Sequence, residues 1–161
     1  MKWSDFLGKY YEELKIGNLY PHRLTRTVTE TDNLLFTTLT HNSQPLHLDE
    51  EYAKTTFYKE RVVNSLFTLS LLVGVTVEDL TAETTLGNLG FTDTVFPNPV
   101  KIGDTLNFET EIFDKRISKS RPHTGIVTFE HRAYNQNNKL VAKTKRTGLM
   151  LKKMEKQSMN K

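Results

Sequence analysis

The sequence predicts an α+β domain in which an antiparallel sheet wraps around one long buried helix. Three observations carry this. From Thr84 onward, four successive segments alternate apolar and polar residues with period two, the signature of strands with one face buried. Before them, Leu66 to Val77 forms an apolar run with little polar face, the pattern of a helix covered on most sides. Ahead of that run, two shorter segments carry helix start signals. Strands that follow helices in a block, rather than alternating with them, favour this class.

The chain has 161 residues, 37% hydrophobic and 25% charged, which fits one domain built on a single core. Residues 1–152 are expected to form that domain, and the Lys-rich stretch 153–161 a disordered basic tail. The lead-in "FLGKYYEELKIGNLY" is short and amphipathic, and "HRLTRTV" alternates like a strand. Thr29 followed by Asp32 resembles a capping box for a helix whose apolar face includes Leu34, Leu35, Phe36 and Leu39. Asp49 is placed to cap a short helix through "EEYAKTTF", whose first turn carries Glu50 and Glu51. The four strands are "TTLGNLGFTDTVF", "DTLNFETEIFDKRIS", "TGIVTFEHRAYN" and "KLVAKTKRTGLMLKK". The first pair is joined by the turn "PNPVKIGD", the last by the hairpin loop "NQNN".

Composition excludes several kinds of chemistry. Without cysteine there is no disulfide, thiolate metal site or cysteine nucleophile. The five histidines fall in no HExxH or similar ligand pattern, so no metal is expected. No basic stripe with interleaved aromatics suggests nucleic acid. No run reaches the ~20 apolar residues that cross a bilayer, and the opening "MKWSDF" is too charged for a secretion signal. The expectation is a protein of the cytoplasm that binds neither nucleic acid nor membrane. A net charge of +3 suits an anionic small ligand.

The stretch "LTHNSQPLHLDEEYA" sets Asn42, Gln44, Pro45, His47 and Asp49 within eight positions. Pro45 bars regular helix or central strand from running through it. Together with a buried helix and then "FPNPVKIGDTL", "PLHLD" resembles the MaoC-type dehydratases of the hot-dog fold, over residues 9–152. The segments "LGNLGFTDTVFPNPV" and "SKSRPHTGIVTFEHRAYNQ" are most similar to the branch acting on mesaconyl-CoA or β-methylmalyl-CoA.

The resemblance implies a hydro-lyase acting on a short 2-enoyl-CoA or 3-hydroxyacyl-CoA, linear, branched or dicarboxylic, with coenzyme A as part of the substrate and no separate cofactor. Carried over residue by residue, His47 is the acid/base. The backbone N–H of Ser65 polarises the thioester oxygen at a helix N-terminus, where the first N–H groups lack internal partners. Pro45, Asp49 and Asn64 support the site. Lys119 and Arg121, in "SKSRP", are candidates for the coenzyme A phosphates. The sequence departs from the family at Asn42, where the family has an Asp that activates water. An amide takes no proton from water, so Asn42 is expected to orient the water instead. A thioesterase on the same fold and a non-catalytic acyl-CoA binding module remain alternatives, the second favoured by Asn42. A homodimer or larger oligomer is expected because an open sheet has edges that need covering.

Overall fold

In the computed structural model the described residues are 8–153. Two short strands come first, β1 (Leu19–Pro21) and β2 (Arg26–Thr27), then the helices α1 (Glu30–Leu39), α2 (Pro45–Leu48), α3 (Glu50–Thr55) and α4 (Ser65–Gly74). A single π-helical turn at Val77–Thr81 leads into the long strands β3 (Thr85–Val95), β4 (Thr105–Ile117), β5 (Thr124–Tyr134) and β6 (Leu140–Leu151). The strands form one antiparallel sheet in the order β1-β4-β5-β6-β3, with β2 also on β4. The four long strands fall where period-two alternation puts them. The expected strand through "HRLTRTV" is instead split in two. Between its halves the His22 side chain turns inward to Asp79 and Thr110, which interrupts the alternation.

Inward residues of the sheet and the covered side of α4 make one core, with Val63, Leu72, Leu106, Phe108, Ala133 and Val141 at one end. Leu80, Ile112, Val127, Phe129 and Met150 pack at the other, closed by Tyr11 and Leu14 of the lead-in. α4 has little polar face, yet only Thr68 and Leu72 are fully buried within it. The sheet covers one side, Phe36 of α1 meets Phe67 edge to face, and Leu66 stays 54% exposed.

The core also holds a chain of polar groups whose hydrogens can be assigned from its cationic end. The guanidinium of Arg146 can only donate, so its Nε–H points to His131 Nε2. His131 Nδ1–H must then donate to Thr110 Oγ1, which also bonds His22 Nε2, while His22 Nδ1 bonds Asp79. Burial and the adjacent Arg146 push His131 well below the ordinary imidazole range, and burial lowers Arg146 to about 10.

Of the expected tail, Lys153 is held, its N–H on Glu12 and its ammonium on Glu13. Residues 154–161 lie outside the described residues.

Candidate active site

The chain between α1 and α3 turns twice within a few residues. His41 adopts a left-handed conformation, φ 54°, and the Asn42 N–H returns to the Thr37 carbonyl. Asn42 Oδ1 then accepts the Gln44 N–H at 3.0 Å. Pro45 opens α2 at its first position, where a missing N–H costs nothing. The bend expected to pass Pro45 as loop is therefore a four-residue helical turn, and His47 rides on it.

His47 is fixed from two sides. Its Nδ1–H donates to the Val62 carbonyl at 2.9 Å, which leaves Nε2 as the free acceptor. Its own carbonyl accepts from Asn33 Nδ2 at 2.9 Å. Asn33 is fully buried, and its Oδ1 accepts the Asn64 N–H at 2.9 Å. One amide thus fastens the turn bearing His47 to the residue that caps α4. Asn64 Oδ1 takes the Leu66 N–H, while the Ser65 N–H has no partner among the described residues. Asp49 accepts the Tyr52 N–H as the N-cap of α3 and does not touch His47, whose ring partner is a backbone carbonyl. Arg61 ties α1 to α3 through Glu30 and Glu50, which hold its guanidinium above the usual range.

His47 and Ser65 line the same cleft, of about 250 Å³. Leu46, Val62 and Val63 line it beside them, and Phe96–Val100 and Val141 also contribute, the Val63 N–H bonding the Val100 carbonyl. Among the described residues no carboxylate lines it. The structure thus brings together His47, Pro45, Asn64 and Ser65, but not the other expected groups. Asn42 is not a lining residue; its Oδ1 accepts the Gln44 N–H at the bend before Pro45. Lys119 and Arg121 sit in the β4–β5 turn, where the Arg121 backbone is bonded to Ser118 and Thr124. Thr124 and Tyr134, next to the cleft-lining Val141, are at opposite ends of β5, ~30 Å apart at the usual rise per residue. Neither cation reaches this cleft within one chain.

Asn33 and the buried His131 escaped the sequence reading. His131 had a signal, since it shares the parity of Val127, Phe129 and Ala133. Asn33 had none, its partners being 14 and 31 residues away. Among the described residues no three His, Cys, Asp or Glu side chains are grouped to hold a metal. No helix among them is long and apolar enough to cross a membrane.

Comparison with known proteins places this geometry. The mesaconyl-CoA hydratase of Cereibacter sphaeroides is 27% identical over 134 residues, 83% of this chain, of which the chain spans 38% of the length. The (R)-specific enoyl-CoA hydratase of Rhodospirillum rubrum is 30% identical over 66% of this chain and 71% of its own. The X-ray structure of a monoamine oxidase regulatory protein from Archaeoglobus fulgius superposes with a TM-score of 0.82 at 31% identity, covering 91% of this chain and 97% of that one. A double hot-dog protein of Mycobacterium tuberculosis, 18% identical and covering 92% of this chain and 46% of its own, gives 0.82 and fixes the fold alone. The profile of the MaoC like domain matches residues 13–135, and the chain belongs to that family.

Proposed function

We propose that this chain adds water across the double bond of a short 2-enoyl-CoA thioester and catalyses the reverse dehydration, with His47 as its one acid/base. The observation that carries the reading is a free imidazole nitrogen and a free helix-terminal N–H on one apolar cleft. Two of the relatives bear the names of hydratases acting on such thioesters.

The step balances with these groups. His47 Nε2 takes a proton from water as its oxygen bonds to C3. The π electrons move toward C1, and the thioester oxygen gains charge beside the Ser65 N–H and the positive end of α4. The enolate then takes the same proton from His47 at C2, and the imidazole returns neutral. Nothing beyond protein groups is used, and coenzyme A enters with the substrate. A non-catalytic acyl-CoA binder is the second reading, because no carboxylate stands where the family has its Asp. Loss of enoyl-thioester absorbance decides between them, with crotonyl-CoA, mesaconyl-CoA and longer substrates beside His47→Ala. Turnover abolished by the substitution supports hydration; thioester binding without turnover on any substrate supports the binder.

The working unit in this proposal is a homodimer. β3 is an edge strand, and Leu86, Leu89, Phe91 and Val95 along it are 42–55% exposed. Pairing with a second copy would cover them. Light scattering should give about twice the 18.6 kDa chain mass, and a monomer would contradict the reading.

A further inference from the structure

The proposed hydration leaves one participant without a holder. The water must be fixed in place while His47 removes its proton, and Asn42, the expected holder, is not among the residues that line the cleft, its Oδ1 accepting the Gln44 N–H. The floor of the cleft supplies a replacement. Thr68 is 1% exposed, lines the cleft, and its hydroxyl has no hydrogen-bond partner among the described residues. The other polar side chains on the lining are at least partly exposed. The amide of Asn98 already donates to the Leu140 carbonyl, and Ser65 stands at the open mouth.

Position agrees with role. Thr68 follows Ser65 by three residues, on the same face of α4 and ~4.5 Å deeper along its axis. A thioester whose oxygen meets the Ser65 N–H places C3 two bonds further in than its carbonyl carbon. Around Thr68 the floor is Val63, Val100 and Val141, all buried. A buried hydroxyl among such residues is costly unless something pairs with it, and a bound water needs at least two polar partners.

We propose that Thr68 Oγ1 and His47 Nε2 together hold the reacting water, so that Thr68 also binds the 3-hydroxyl of the product. A hydroxyl can accept from or donate to that oxygen as the reaction requires. This rests on the hydratase reading of the cleft and names the residue that completes it.

Steady-state kinetics in both directions with Thr68→Val and Thr68→Ser test it. The valine keeps the shape and removes the hydroxyl. Its kcat for hydration should fall by about tenfold or more, while KM for the enoyl thioester stays within about twofold. KM for the 3-hydroxyacyl thioester should rise by about fivefold, since only that ligand carries the hydroxyl. Serine should restore kcat to within about threefold of wild type. If the valine variant does not fold, Thr68→Ala is read by the same constants. A valine or alanine variant as fast as wild type overturns the proposal alone, and so does a serine variant as slow as valine. A wild-type protein that hydrates no enoyl thioester overturns the hydratase reading and this proposal with it.

Discussion

Replacing Asn33 with Leu should damage stability and chemistry together. The change keeps much of the volume and removes both hydrogen bonds, leaving the Asn64 N–H and the His47 carbonyl without their partner. An orphaned buried polar group costs roughly 1–3 kcal/mol. The Asn64 side is buried and the His47 side only partly so, which places the combined loss near ~2–4 kcal/mol. Against a typical stability of ~5–15 kcal/mol the variant still folds. For a chain of this size the loss lowers Tm by ~4–16 °C in a circular dichroism melt. The same amide sets the separation of His47 from the start of α4, so kcat/KM on the best enoyl thioester should fall ~10–100-fold at a temperature where the variant is fully folded. A lowered Tm with unchanged kcat/KM would refute the idea that Asn33 sets the site's geometry. An unchanged Tm would refute the bonds themselves.

The polar chain under α4 gives a pH prediction. His131 stays neutral in the fold because burial, and then Arg146, disfavour its charged form, while His22 is the other titratable ring facing it. In the unfolded chain it binds a proton near pH ~6.5. Below that value the unfolded state carries more protons, so stability falls by up to ~1.4 kcal/mol per pH unit and is flat above it. Urea midpoints between pH 5 and 7 should flatten in His131→Gln, and parallel pH dependences in the two proteins would count against the assignment. Asn42→Asp should change kcat less than about threefold, because a carboxylate keeps the acceptor for the Gln44 N–H and still does not line the cleft. A rise of orders of magnitude would show that the family's usual base works here and that the native protein is better described as a binder.

What could be read in the sequence was local. The Thr29–Asp32 box caps α1 reciprocally, Asp49 caps α3, and Asn64 caps α4, each through bonds spanning two or three residues. Strand limits followed from alternation, which burial repeats along β5, β6 and the first half of β4, while no residue of β3 is fully buried. Parity was legible but its chemistry was not. Thr110, His131 and Arg146 occupy inward positions that a hydropathy pattern leaves to water, and they bond to one another, while one terminal guanidinium nitrogen of Arg146 has no partner among the described residues. Thr68 was hidden inside an apolar run. Asn42 kept its motif position, but no spacing rule could say that its side chain would serve the backbone. Lys119 and Arg121 were chosen by charge and resemblance, and their distance from the cleft depends on which end of the sheet the turn closes.

The central claim is that one imidazole moves one proton from water to C2, and hydration in deuterium oxide tests it most directly. If His47 serves both carbons from its fixed place on α2, the new hydroxyl and the new deuterium arrive on the same face of the double bond. NMR of the 3-hydroxyacyl product should therefore show a single deuterium at C2, syn to the hydroxyl, and no product from His47→Gln. Addition from opposite faces, or a His47→Gln enzyme that still forms the product at the native rate, would contradict the account.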